Sequence, residues 1–133
     1  MDYFINAVRN HYADFDGRAR RAEYWNFVLF NFLGTVAIVV LAFALGAVSE
    51  SLGLVVFLGY FVWTIGLFVP GLAVAVRRLH DTGKSGWWLL IVFIPFVGIA
   101  LLVFMCMDSE PGTNAFGPNP KEDSYNVADH LVE

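Results

Sequence analysis

Three long uncharged runs constrain the fold of this chain more than any other feature of its sequence. They cover residues 24–49, 51–76 and 85–107, and none contains Asp, Glu, Lys or Arg. A membrane span needs about 20 mainly apolar residues, and a soluble core does not require three such runs. Only 15% of the 133 residues are charged, against about 25% in soluble domains. The sequence therefore predicts a membrane protein and excludes a soluble enzyme, a nucleic-acid binder or a disordered chain.

The predicted fold is an all-α integral membrane domain with three transmembrane helices, at about residues 24–49, 51–76 and 86–107. A short amphipathic helix is expected over residues 2–13, either in the headgroup plane or packed on the protein's own cytoplasmic loop. A turn of about five residues around Glu50 makes the first two spans an antiparallel hairpin.

The domain boundaries follow from length and composition. The length allows one domain, so residues 1–120 are predicted to form a single membrane domain. Residues 121–133 are acidic and are predicted to form a mobile tail.

Pro95 lies near the centre of the third run and leaves two interpretations open. Proline removes a backbone hydrogen bond, so a full span would be kinked there. The alternative is a re-entrant hairpin that turns at Pro95, each arm being only about 15 Å long. Non-helical backbone at that depth must be shielded by protein, and this protein is small, so the kinked span is favoured.

The orientation is predicted from the basic residues of the short loops. Those before the first span and between the second and third spans are Arg9, Arg18, Arg20, Arg21, Arg77, Arg78 and Lys84. The first turn has none and the tail has only Lys121. The N-terminus and the 77–84 loop are therefore expected in the cytoplasm, and a complete third span would place the C-terminus outside.

A charged cluster at the cytoplasmic face is the candidate site. Its members are Arg18, Arg20, Arg21, Glu23, Arg77, Arg78, His80, Asp81 and Lys84, flanked by the expected interface anchors Trp25, Trp87 and Trp88. Basic residues and tryptophans can serve topology alone, but that role does not need Asp81, His80 or Glu23. A basic pocket on this side of a membrane can bind an anionic lipid headgroup, so lipid is the expected partner.

Other chemistries have weaker support. Gly83-Lys84-Ser85 matches the end of a phosphate-binding loop, but Arg78 stands where the first glycine belongs. Gly83 is instead predicted to cap the second span, and Ser85 to begin the third. The three histidines, His11, His80 and His130, lack metal-ligand spacing. We therefore expect no nucleotide, nucleic acid, metal or cofactor, and assign no catalytic residue.

Three ordered motifs resemble those of a known bacterial family. Residues 15–25 read Phe-Asp-Gly-Arg-Ala-Arg-Arg-Ala-Glu-Tyr-Trp, and residues 77–81 read Arg-Arg-Leu-His-Asp, followed by Gly-Trp-Trp at 86–88. Residues 111–120 read Pro-Gly-Thr-Asn-Ala-Phe-Gly-Pro-Asn-Pro. Over residues 12–120 the chain resembles the family catalogued as domain of unknown function 805, the YhaH-like inner membrane proteins.

The resemblance implies a multi-pass protein of the bacterial inner membrane with no established activity. One departure is Ala115, where the family pattern has a larger basic or polar residue, and it bears only on a contact between the tail and headgroups. We expect a non-enzymatic protein whose cluster binds an anionic lipid headgroup or an acidic partner. The alternatives are a homo-oligomeric structural module or small-solute pore, and a lipid-acting membrane enzyme.

Overall fold

The computed structural model describes residues 2–122, and this part of the chain is helical. The helices are α1 (Asp2–Arg9), α2 (Arg21–Val48), α3 (Glu50–Asp81), a 3-10 helix (Gly86–Phe93) and α4 (Gly98–Cys106). Among the described residues, β pairing is limited to one isolated bridge between Asn114 and Gly117. The all-α prediction is therefore confirmed for residues 2–122.

Helices α2 and α3 form a long antiparallel hairpin. They contain 28 and 32 residues, which correspond to about 42 Å and 48 Å. Ser49 alone separates them, and its amide donates to the Leu45 carbonyl at 2.9 Å, so the turn is tighter than predicted. Gly46 and Gly53 pack so closely that a Cβ on Gly53 would lie 2.6 Å from the Gly46 Cα.

The hairpin exposes the side chains that a soluble protein would bury. By length and composition, α2 and α3 are long and apolar enough to cross a membrane, and almost no residue of their most apolar stretches is buried. Phe43 of α2 is 79% exposed and Val62 of α3 is 74% exposed. Such surfaces belong to a membrane protein, because lipid and not water is their favourable solvent.

The predicted third helix, continuous over residues 86–107 and kinked at Pro95, does not form. The run instead forms two short arms, the 3-10 helix and α4, which lie side by side. The Trp88 ring at the start of one arm lies 5.6 Å from the Phe104 ring near the end of the other. Pro95 offers no amide for a helix and Phe96 takes a left-handed φ of 65°, so the chain reverses direction. The reversal matches the hairpin alternative, with one arm on each side of Pro95.

The C-terminal segment consequently returns to the end of the hairpin where α2 begins. The Glu110 amide donates to the Asp81 carbonyl at 2.8 Å, and Arg18 Nη1 donates to the Gly112 carbonyl at 2.7 Å. The expected placement of the two terminal segments on opposite sides is therefore wrong for residues 108–122. Residues 123–133, which hold most of the predicted mobile tail, lie outside the described part.

The N-terminal segment packs on the hairpin. The predicted helix over residues 2–13 is helical only over Asp2–Arg9, and the Phe4 ring lies 5.4 Å from the Phe27 ring of α2. Helix α2 begins at Arg21, and no side chain caps it.

A proline inside α3 explains one contact of the N-terminal segment. Pro70 has no amide hydrogen, so the Gly66 carbonyl one turn earlier lacks its helical donor. The Tyr12 hydroxyl donates to that carbonyl at 2.7 Å. A side chain from outside the hairpin thus satisfies the polar group that Pro70 leaves free.

Candidate functional site at the polar end

The predicted site residues gather at one end of the hairpin, which we call the polar end (residues 10–21, 77–85 and 106–122). Gly83, with φ 74°, ends α3 as predicted. Its amide donates to the His80 carbonyl at 3.0 Å and the Lys84 amide to the Leu79 carbonyl at 2.9 Å. This pair of bonds is the Schellman motif of a helix C-terminus. It turns the chain sharply and leaves the last carbonyls of α3 facing the C-terminal segment.

Asp81 is the centre of the polar end. Its side chain is fully buried and accepts hydrogen bonds from Arg18 Nε at 3.0 Å, from Arg78 Nη1 and from Ser109 Oγ at 2.6 Å. The three donors come from the segment before α2, from α3 and from the segment after α4. One carboxylate therefore joins three parts of the chain, and a buried carboxylate requires such charged partners.

Arg18 and Arg78 also bind the returning backbone. Arg18 donates to the carbonyls of Glu110 at 2.5 Å and Gly112 at 2.7 Å. Arg78 donates to the Met105 carbonyl at 3.1 Å and also to the Met107 carbonyl, just after α4. Every nitrogen of these two guanidinium groups makes a contact within the protein. Arg18 and Arg78 thus connect the C-terminal segment to the hairpin by hydrogen bonds.

Arg77 is less completely paired. Its Nη1 donates to Glu23 Oε1 at 2.8 Å, and its backbone carbonyl accepts from the Ala19 amide at 3.0 Å. Nε and Nη2 of Arg77 are buried and have no partner among the described residues. The buried cluster (Arg18, Glu23, Arg77, Arg78 and Asp81) thus contains three guanidinium groups and two carboxylates, which leaves one positive charge in excess.

His80 holds a loop in place and does not contact the Asp81 carboxylate. Its Nδ1 donates to the Gly17 carbonyl at 3.1 Å, and its ring stacks on Phe116 with the centroids 3.9 Å apart. The Asn114 side chain donates to the His80 carbonyl at 2.9 Å. His80 is therefore a packing contact between the segment before α2 and the C-terminal segment.

Three basic residues of the predicted cluster lie on its outside. Arg20 Nε donates to the Pro120 carbonyl at 2.8 Å. Arg21 is exposed, and its contact with the Cys106 carbonyl is 3.4 Å long. The Lys84 ammonium lies 4.6 Å above the Phe104 ring. Arg20 and Arg21, which we call the outer pair, keep several N–H groups free of partners among residues 2–122.

The predicted interface anchors lie next to the polar end. Trp25, in the first turns of α2, is half-buried and its ring lies 5.3 Å from the Tyr24 ring. Trp87 is 79% exposed and Trp88 is 46% exposed, both at the start of the 3-10 helix. Ser85 caps that helix as predicted, accepting from the Trp87 amide at 3.4 Å.

Several residues of the polar end had no place in the sequence prediction of the site. Ser109, Glu110 and Asn114 contact α3 directly, but the expected third span placed them on the other side of the membrane. Of these three residues only Asn114 lies in the third family motif, and that motif was the one sequence signal that this segment belongs to the same unit as the arginines. Elsewhere, a hydrogen bond with His11 lowers the pKa of Asp14 in the loop after α1.

Comparison with known proteins settles the family. The family model described as "Protein of unknown function (DUF805)" matches residues 12–118. This chain belongs to the DUF805 family. The resemblance seen in the three sequence motifs is therefore confirmed, and the match takes in both long helices and most of the polar end.

Two relatives from Escherichia coli strain K12 align with this chain over almost their whole length. The inner membrane protein YhaH is 43% identical over 126 residues, which are 91% of this chain and 98% of YhaH. The inner membrane protein YhaI is 41% identical over 122 residues, which are 91% of this chain and 97% of YhaI. No solved structure matches. The names of both relatives agree with the apolar exposed hairpin of this DUF805 protein.

Proposed function

We propose that this DUF805 protein is a non-enzymatic, multi-pass protein of the inner membrane that binds anionic phospholipid headgroups on its cytoplasmic side. In this proposal α2 and α3 cross the bilayer, and the arms on either side of Pro95 enter it from the cytoplasmic face. The observation that carries lipid binding is the outer pair, Arg20 and Arg21, which keep N–H groups without a partner among residues 2–122. Arg21 stands one helical turn before Trp25 at the start of α2.

The distribution of basic residues supports the orientation. Of the eight Lys and Arg residues, seven lie in the polar end and the eighth, Arg9, ends α1 directly before it. The turn between α2 and α3 contains Glu50 and no basic residue. Cytoplasmic loops carry the excess of Lys and Arg in membrane proteins. The polar end is therefore the cytoplasmic end.

The division of the arginines supports the choice of the outer pair. Arg18 and Arg78 already use their nitrogens on Asp81 and on backbone carbonyls, so they bind no ligand without unfolding the polar end. The excess positive charge of the buried cluster adds to that of the outer pair. A phosphate diester accepts forked hydrogen bonds from guanidinium groups, which makes an anionic headgroup the matching ligand.

Lipid retention in nanodiscs tests this proposal. The variant Arg20→Gln/Arg21→Gln should retain less phosphatidylglycerol in native mass spectrometry, by about tenfold for each arginine, since a hydrogen bond to a charged group contributes about 1.5 kcal/mol or more. Retention of phosphatidylcholine should not change. Arg9→Gln, which removes an exposed charge without a contact among the described residues, is the matched control.

Two results would contradict the proposal. The first is unchanged phosphatidylglycerol retention in the double variant, which would leave the outer arginines a topological role only. The second is a loss of phosphatidylglycerol retention in Arg9→Gln as large as that in the double variant, which would indicate a general effect of net charge. If the protein binds an acidic peptide and not lipid, and the double variant loses this binding, the ligand of the outer pair is a protein partner.

A further inference from the structure

A groove with polar side chains lies along the middle of the hairpin, between its turn and the polar end. Its volume is about 310 Å³, and Asn31 and Thr35 from α2 and Tyr60 and Thr64 from α3 contribute its polar groups. On each helix the two residues are four apart, so they share one face. They stand within two otherwise apolar runs, close to the midpoints of α2 and α3.

The polar groups of the groove are only partly paired within the chain. Thr64 Oγ1 donates to the Tyr60 carbonyl at 2.9 Å, and Asn31 Oδ1 accepts from Trp63 Nε1 at 3.1 Å. The side-chain NH2 group of Asn31 and the hydroxyls of Thr35 and Tyr60 have no hydrogen-bond partner among residues 2–122. These groups are partly accessible along the open side of the groove.

We propose that a second copy of this chain docks on this groove and forms a symmetric dimer. The inference rests on the membrane placement of α2 and α3 in the proposed function. At the midpoint of a bilayer there is no water to bind an amide or a hydroxyl. Polar side chains at this depth therefore pair with another helix and hold it in register.

The chemistry of the groove selects a second copy as the occupant. A twofold axis brings the same surface of both subunits together, so the surface must complement itself. Asn31, Thr35 and Tyr60 each both donate and accept, and the residues lining the groove include no charge that would repel its own copy. An acyl chain has no donor or acceptor and leaves the same three groups unpaired.

Dimerisation in vesicles tests the inference. Fluorescently labelled full-length protein should bleach in two steps at moderate density, and Thr35→Val should weaken dimerisation by about threefold to tenfold, since a hydrogen bond between membrane helices is removed in each subunit. The control is Leu33→Val. Leu33 lies on the same helix at nearly the same depth, about 160° around the axis, and is 51% exposed.

Cysteine cross-linking supplies the second measurement. In a Cys106→Ser background, Thr35→Cys should form a covalent dimer on oxidation and Leu33→Cys should not. Single-step bleaching at every density would overturn the inference. So would a covalent dimer formed by Leu33→Cys together with unchanged dimerisation of Thr35→Val. Thr35→Val should not alter membrane insertion or lipid retention. Failure of dimerisation is thereby distinguished from failure of the proposed membrane placement and lipid site.

Discussion

The Asp81 carboxylate compensates the buried positive charges of Arg18 and Arg78. It accepts from two guanidinium groups and one hydroxyl, and neither the carboxylate nor Arg78 is exposed to solvent. Removing one partner of such a group leaves the other buried charges uncompensated, which costs more than the contact itself contributes. The stability of the polar end therefore depends on this carboxylate more than on any one arginine contact.

We expect Asp81→Asn to lower the free energy of unfolding by about 3–5 kcal/mol, because Arg18 and Arg78 would remain buried without an anion. Thermal unfolding of the purified protein in detergent measures this change. Asp108→Asn is the matched control, since Asp108 is exposed and pairs with Lys121 at the surface, and it should change the melting temperature little. Equal effects of the two substitutions would show that the buried network does not stabilise the fold.

At the scale of a helix, Pro70 and Tyr12 form one unit although 58 positions separate them in the sequence. The proline removes a hydrogen bond inside α3, and the tyrosine hydroxyl replaces it at the Gly66 carbonyl. The N-terminal segment is thereby tied to the hairpin at a fixed depth.

A double-mutant cycle checks this coupling. Tyr12→Phe should destabilise the protein by about 1 kcal/mol, because a backbone carbonyl loses its donor. In a Pro70→Ala background the helix supplies its own donor to Gly66, so the same substitution should cost much less. Tyr3→Phe, at a half-exposed tyrosine whose hydroxyl has no hydrogen-bond partner among residues 2–122, is the control. Additive effects of Tyr12→Phe and Pro70→Ala would contradict the pairing.

The helical elements also show what the sequence could and could not predict. Uncharged runs and a short turn were enough to predict the hairpin, and an antiparallel hairpin brings Arg18 and Arg78 to one end. A proline permits either a kink or a turn, so the sequence alone does not predict the reversal at Pro95. The positive φ of Phe96 and the carbonyl contacts of Arg78 decide between them. Those contacts join residues far apart in the sequence, so local periodicity does not contain them.

At the scale of the whole molecule, the two ends of the hairpin differ strongly. One end carries three chain segments, the ion network and nearly all the basic residues, and the other end is a turn at Ser49. The segment after α4 lies with the basic end because its backbone binds Arg18 and Arg78. In the proposed placement, both described ends of the chain lie in the cytoplasm.

Labelling with an impermeant thiol reagent checks this placement. In a Cys106→Ser background, Thr113→Cys should react in inside-out vesicles and stay unlabelled in intact spheroplasts. Ser51→Cys, at the opposite turn, should show the reverse pattern. Labelling of Thr113→Cys from outside would restore a complete third span and contradict the arrangement around Pro95.

The contacts of Arg18 with the carbonyls of residues 110 and 112 also impose an order of events during synthesis. Chains fold from the N-terminus as they emerge, so the two long helices are complete while these carbonyls have not yet been made. Until then Arg18 and Arg78 can bind the Asp81 carboxylate but not the later carbonyls, and that carboxylate lacks the hydrogen bond from Ser109. The polar end is therefore the last part of the described structure to close, and a chain terminated before residue 109 would leave these donors and acceptors to water.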